Sequence, residues 1–410
     1  MRFNTKLLHG KSTKKYADNS TLPPIAQVSA FGYESAEEQE KVFQHKASGY
    51  AYTRIGNPTI TAFEQRISEL ENAAGGVACS SGMAAVTISL LNVLSSGDEI
   101  ITTSNLYGGT LDLFKDLEKL GIKTNYVSEL NSHELDLYFN EHTKVIFGEV
   151  VSNPALQVLD IKAVSDYAHS KGIPLIVDAT TVTPYVIRPI ELGADIVVHS
   201  SSKYINGGGN SISGIILDSG KFKWDFEKFS ALKEFKKYGN LAYLIRLKTD
   251  LWENFGSCLA PFNAYLNIVG LETLGLRIEQ INRNARALAV ALAKLDGITV
   301  SYLSLPNHPY YDLCTSQLKG YGGGILTFRV GSKEKAFKIL NALQFATIAS
   351  NIGDVRTLAI HPKSTLYIKS TDEEAAAAGV YDDTIRVSVG IEDSEDLIED
   401  FTQAIEKASA

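Results

Sequence analysis

Lys203 and Asp178 both stand where short apolar runs end. Lys203 lies in DIVVHSSSKYINGGG, after a strand-like segment and before a glycine-rich loop, and Asp178 closes the run IPLIVDA upstream. Burial lowers the pKa of a lysine, and the free amine then forms a Schiff base with a carbonyl. A buried carboxylate keeps a ring nitrogen protonated, so that the ring can take up the electrons of a carbanion. Those two groups together are what a protein must supply to pyridoxal phosphate. Most lysines are solvated surface charges, and acids at strand ends often cap the next helix. The pairing favours chemistry over either bland reading.

Further residues fit the same ligand. Ser200 and Ser202 flank the lysine as candidate donors to a phosphate. The segment SSGMAA (80–85) joins a strand to a helix, where Ser81, Gly82 and Met83 would offer hydroxyl and backbone N–H groups at a helix N-terminus. In GYAYTRIGNP, Tyr52 and Arg54 are two apart in an extended segment, so both could face the same way. They could grip a phosphate together, or form a surface arm with one salt bridge. Tyr107 in NLYGGT could stack on a flat cofactor ring or plug a core. Asn153 in EVVSNP and Arg386 in TIRVSVG are candidate polar anchors for a substrate carboxylate, although a lone strand arginine is more often in a structural ion pair. His199 and His361 read as structural hydrogen-bonded groups. Nothing suggests a metal site.

The elements that must position these residues alternate along the chain. Strand-like segments are GVACSS, EIITTS, TNYVS, KVIFGEV, PLIVDA, DIVVHS and SGIILDS, with amphipathic helical stretches at 82–94, 109–120 and 160–171. Such alternation predicts a largely parallel sheet covered on both faces, with ligands beyond the carboxyl ends of its strands. Residues 1–57 are polar and aperiodic and read as an N-terminal arm. Asn57-Pro58-Thr59 starts a helix carrying Phe63, Ile67 and Leu70 on one stripe. Residues 58–262 form the larger domain, in which the aromatic and lysine-rich stretch 221–255 is expected to cover the site. A long helical stretch near 262–295 leads into a smaller unit, 263–410, with strands ILTFRV and TIRVSVG and a closing helix near 394–408.

Bulk properties narrow the function classes. The 410 residues suit roughly two to three domains at ~150 residues each. A net charge of −8 leaves no electrostatic footprint for nucleic acid or an anionic membrane. Three widely spaced cysteines suggest neither a disulfide framework nor a zinc knuckle. No run has signal-peptide or membrane-span character, and the expected location is cytoplasmic.

Taken in order, the motifs YTRIGNPT, SSGMAA, YGGT, SNP, IVDAT, HSSSKYINGG, APFNAYLNIVGLETLGLR, HPKST and IRVSVGIED resemble the Cys/Met-metabolism family of pyridoxal phosphate enzymes. The resemblance runs nearly end to end. It implies the type I aminotransferase-like fold, an α/β architecture with a mostly parallel central sheet and a smaller C-terminal α/β domain. It implies that Lys203 carries pyridoxal 5′-phosphate and removes a substrate proton, that Asp178 meets the pyridine nitrogen, and that Tyr107 stacks on the ring. Ser81, Gly82, Met83, Ser200 and Ser202 match the phosphate cradle. Tyr52 and Arg54 match a pair that reaches the phosphate of a neighbouring subunit, which implies a homotetramer built as a dimer of dimers. Arg386 matches the substrate-carboxylate arginine, with Asn153 beside cofactor and substrate.

Within the family the chain is most similar to the sulfhydrylase branch. Asn351 in NIGD, a substrate-side residue, stands where lyases and cystathionine synthases usually have serine, and GGGNSISG and the 221–255 stretch also fit that branch. The implied reaction joins O-acetyl-L-homoserine and a small sulfur donor to give homocysteine. Methionine or cystathionine γ-lyase and cystathionine γ-synthase are the alternatives. Three departures from the family pattern stand out: Ala179 in VDAT, HSSSK before the tyrosine, and Leu366-Tyr367 in STLY.

Overall fold

In the computed structural model, which describes every residue except 14, 15, 17, 18, 45 and 410, the seven strand-like segments pair into one sheet. They are β1 (Gly75–Cys79), β2 (Glu99–Thr103), β3 (Lys123–Val127), β4 (Thr143–Glu149), β5 (Leu175–Asp178), β6 (Ile196–His199) and β7 (Gly214–Asp218), in the order β1-β7-β6-β5-β4-β2-β3. The β2–β3, β2–β4, β4–β5 and β5–β6 pairs are parallel. β7 runs antiparallel to both neighbours. The central strands are continuous apolar runs because helices cover both faces, and the interiors of β5 and β6 are fully buried.

Helix Pro58–Glu71 shows how local sequence sets an element. Asn57 caps it, its side chain accepting the Thr59 N–H at 2.9 Å, Pro58 occupies the first turn, and Asn72 ends it in the left-handed region at φ 57°. A cap of this kind contributes about 1 kcal/mol. Phe63 and Ile67 on its inner stripe are wholly buried, each worth about 1.5–3 kcal/mol against exposure.

The second sheet contains β8 (Thr299–Ser301), β9 (Ile325–Arg329), β10 (Thr347–Ile348), β11 (Leu358–Ile360) and β12 (Thr384–Ser388), in the order β10-β11-β12-β9-β8. ILTFRV and TIRVSVG are its two longest strands. Strand periodicity turns Ile385 and Val387 of β12 into the core beneath this sheet and leaves Arg386 on the opposite face. Helix Leu274–Leu292 links the two cores: Leu274, Ile278 and Ile281 pack with the large sheet, and Ala285, Leu288 and Leu292 with the small one.

The 221–255 stretch departs from expectation. It forms short 3-10, α and π turns flanking β1, with Trp252 Nε1 donating to the Ala78 carbonyl at 2.8 Å and Trp224 stacked on Tyr243. None of it lines the cavity described below; its aromatic rings fill an apolar flank. No helix among the described residues is long and apolar enough to cross a membrane.

Candidate active site

The carboxyl ends of β1, β4, β5 and β6 open onto a cavity of about 300 Å³. Ser81, Gly82, Met83, Tyr107, Asn153 and Asp178 line it from those ends, as do Ser200, Ser202 and Lys203. Asn351 and Arg386 close it from the smaller sheet. Eleven chain-distant residues singled out from sequence therefore meet in one place.

Lys203 Nζ donates to Asn351 Oδ1 at 2.5 Å and has no carboxylate partner within salt-bridge distance among the described residues. Burial first, and the nearby Arg386 guanidinium second, pull its amine below the usual lysine range. Asp178 closes β5, and its Oδ1 accepts the Thr180 N–H at 2.9 Å. Burial pushes Asp178 above the usual carboxylate range, against the pull of Thr180 and of nearby His199. Thr180, absent from the sequence reading, also accepts the Ser200 N–H on its hydroxyl at 2.7 Å, tying the aspartate turn to the lysine loop.

The pocket between β1 and the following helix is built for an anion. Ser81 caps helix Gly82–Leu91 by accepting the Ala84 N–H at 3.0 Å, which leaves the Gly82 and Met83 N–H groups without an acceptor among the described residues. A Cβ at residue 82 would lie 2.5 Å from Ser200 Cβ, so only glycine lets the two loops close around a phosphate. Ser202 is engaged otherwise: its hydroxyl donates to the Ser213 carbonyl at 2.9 Å and accepts the Ser213 N–H at 2.8 Å. A lysine of lowered pKa, a buried carboxylate and open helix N–H groups around one cavity fit pyridoxal phosphate.

Arg386 is 1% exposed. Its Nη1 donates to Asn153 Oδ1 at 3.3 Å and its Nη2 to the Asn351 carbonyl at 3.0 Å, while Nε has no partner. No carboxylate among the described residues pairs with it, so it is not in the structural ion pair usual for a lone strand arginine. Burial draws the guanidinium down to about 10, and it stays a cation at neutral pH. A buried cation facing a cavity without a counter-ion calls for an anionic ligand.

Tyr52 and Arg54 lie elsewhere. Tyr52 is largely exposed, and Arg54 Nη1 donates to the Glu253 carbonyl at 2.9 Å, with the guanidinium 5.7 Å from the Tyr52 ring centre. Neither lines this chain's own cavity. His199 pairs with Glu71 at 2.7 Å, both fully buried, and His361 binds Ser364 and the Asp382 carbonyl, as structural histidines do.

The family model for Cys/Met metabolism PLP-dependent enzymes matches residues 4–406. The chain belongs to that family. Among the family's curated proteins, homocysteine synthase of Schizosaccharomyces pombe is 39% identical, over 99% of this chain and 98% of that one. O-acetyl-L-homoserine sulfhydrylase of Corynebacterium glutamicum is 38% identical, over 97% and 95%. A solved family structure, a candidate O-acetylhomoserine (thiol)-lyase from Campylobacter jejuni holding N′-pyridoxyl-lysine-5′-monophosphate, superposes with a TM-score of 0.94 at 33% identity, covering 99% of this chain and 100% of that one. Cystathionine gamma synthase of Xanthomonas oryzae superposes with a TM-score of 0.87 at 30% identity, covering 100% and 99%. The fold is that of the pyridoxal phosphate enzymes of type I, and the protein is an enzyme of this family.

Proposed function

We propose that this protein replaces the acetoxy group of O-acetyl-L-homoserine with sulfide. The Cγ–O bond breaks, a Cγ–S bond forms, and L-homocysteine and acetate leave. Nearly full-length similarity to enzymes named homocysteine synthase and O-acetyl-L-homoserine sulfhydrylase carries the reading. Pyridoxal phosphate, attached through Lys203, supplies the electron sink that makes the substrate Cα–H acidic.

The chain's residues do the rest. Arg386 binds the α-carboxylate, with its guanidinium held by Asn153 and Asn351. Lys203 Nζ takes the Cα proton, and the short contact to Asn351 gives the amine a fixed resting place. Asp178 would hold the proton on the ring nitrogen, and Tyr107, which lines the cavity, would stack on the ring. The Gly82 and Met83 N–H groups, with the Ser81 and Ser200 hydroxyls, would hold the phosphate; Ser202 would have to give up its bond to Ser213 to join them. The test is to incubate purified enzyme with O-acetyl-L-homoserine, with and without sulfide, and assay homocysteine and 2-oxobutyrate together. Sulfide-dependent homocysteine with little keto acid is expected; keto acid as the main product in the presence of sulfide would move the chain to the γ-lyases.

The proposed organisation is an N-terminal arm (1–57), a cofactor-binding domain (58–262) and a C-terminal domain (263–410), assembled in the cytoplasm as a homotetramer of two dimers. Tyr52 and Arg54, on the arm and outside their own cavity, serve the neighbouring subunit's phosphate. Mixing and reassembling Arg54→Ala and Lys203→Ala subunits should then restore up to about a quarter of wild-type activity, because each mixed two-fold dimer regains one intact site. Mixed protein as inactive as its parents would rule out sites shared between subunits.

A further inference from the structure

Glu149 is a half-buried acid that the reaction as described does not use. It ends β4 directly opposite Asp178 at the end of β5, in register across adjacent parallel strands. Both residues line the cavity. Glu149 Oε1 accepts the Tyr107 N–H at 2.6 Å, and the carboxyl also receives the Asn153 N–H. No lysine, arginine or histidine among the described residues lies within ion-pair distance of it. Its remaining ionisable neighbours are Asp178 and Tyr367, whose buried hydroxyl has no partner and which in turn faces Arg386.

We propose that Glu149 is a positioning residue that works in its protonated, neutral form, holding the Tyr107 and Asn153 turns together at the cavity wall while Asp178 alone carries the negative charge. Two carboxyl groups side by side in a buried site cannot both ionise, and the one with the weaker support keeps the proton. Asp178 has the stronger support, from the Thr180 N–H and hydroxyl and from His199. Glu149 is raised by burial first and by the Asp178 charge second. Two backbone N–H groups oppose that shift without bringing a counter-charge. One neutral acid beside one anion leaves a single carboxylate to meet the ring nitrogen. The acid's remaining work is geometric: the Tyr107 N–H and the Asn153 N–H converge on it from two separate loops, one carrying the aromatic ring and the other an Arg386 partner.

This inference concerns the cofactor side of the cavity and is independent of which substrate is used. It is tested with Glu149→Gln, which keeps the acceptor and removes the ability to ionise, and Glu149→Ala, which removes the acceptor. Amide hydrogen exchange is followed across 104–112 in apoprotein and holoenzyme, with kcat and KM measured on holoenzyme. Glu149→Gln is expected to exchange like wild type and to keep kcat within about threefold. Glu149→Ala should speed exchange of the Tyr107 amide about tenfold, in line with the loss of one hydrogen bond to a charged or polar side chain. Its kcat should fall about 10²-fold through misplacement of the aromatic wall. Should Glu149→Ala fail to fold, Glu149→Ser serves for the exchange measurement. A Glu149→Gln enzyme as impaired as the truncated one would show that the charge is needed and overturn the proposal; so would unchanged Tyr107 exchange on truncation.

Discussion

Lys203→Ala is expected to lower turnover by at least about 10⁴-fold, the upper range for loss of one general acid–base group, with the loss of covalent attachment added. The expectation rests on the amine's surroundings. It is withdrawn from solvent, lies near the Arg386 cation, and is held by a neutral amide oxygen in place of a carboxylate. The first two favour the unprotonated amine, the form that attacks a carbonyl and accepts a proton, and a neutral partner does not oppose them as a carboxylate would. A lysine paired to an acid would be locked as ammonium and unreactive. The variant should fold, because the rest of the 200–206 turn is fixed by its own backbone, Lys203 N–H to the Ser200 carbonyl and Asn206 N–H to the Ser201 carbonyl. It should bind pyridoxal phosphate through the phosphate cradle but release it on denaturation after borohydride treatment, whereas wild type keeps the label. Turnover within tenfold of wild type, or a label retained by the variant, would mean that another group carries the cofactor.

Much of this was legible in sequence, for identifiable reasons. The seven strands of the large sheet show as apolar runs because strands buried on both faces have no polar alternation to hide them. Lys203, Asp178 and the Ser81–Met83 turn show because each follows such a run, and parallel strands bring all those ends to one edge. The reversal of β7 does not show: GIILD is as apolar as its neighbours, and direction depends on where the glycine-rich connection leaves the chain. β8, β10 and β11, two or three residues long, are too short for any period to register. Glu149 does not stand out in sequence because an acid at a strand end looks like a solvent-facing one without Asp178 beside it. Asn351 was picked out as a substrate-side residue, while its contact with Lys203, 148 positions away, needs the fold. The 221–255 stretch misled because aromatic content signals burial without saying against what; here the partner is the flank of β1.

The position of Arg386 joins the two sheets' units at the cavity. It is borne by a central strand of the small sheet and held by one residue from each unit: Asn153 follows β4, and Asn351 precedes β11. With the proposed roles, the arginine that would anchor the amino acid lies across the seam from the lysine that would take its proton. Small displacements of one unit relative to the other would alter the distance between the bound α-carboxylate and Lys203, so substrate occupancy should tighten the seam.

Arg386→Ala is accordingly expected to reduce kcat/KM for the amino-acid substrate by the equivalent of about 2–5 kcal/mol, as for loss of one partner in a buried charge pair, with most of the loss in KM. Lost binding common to the ground and transition states appears there, while a group acting only in the transition state would lower kcat instead. Arg386→Lys should recover part of the loss, since the charge remains but the planar fork that spans Asn153, Asn351 and a carboxylate does not. Neither change should disturb the fold, because the adjacent Ile385 and Val387 supply the core contacts of β12 from its other face. Removing the guanidinium also removes a like charge from Lys203, so the lysine amine in the apoprotein should titrate at higher pH than in wild type. If KM for the amino acid stays unchanged while kcat collapses, Arg386 is not holding the carboxylate, and the anion that its buried charge demands must be sought in the cofactor's phosphate instead.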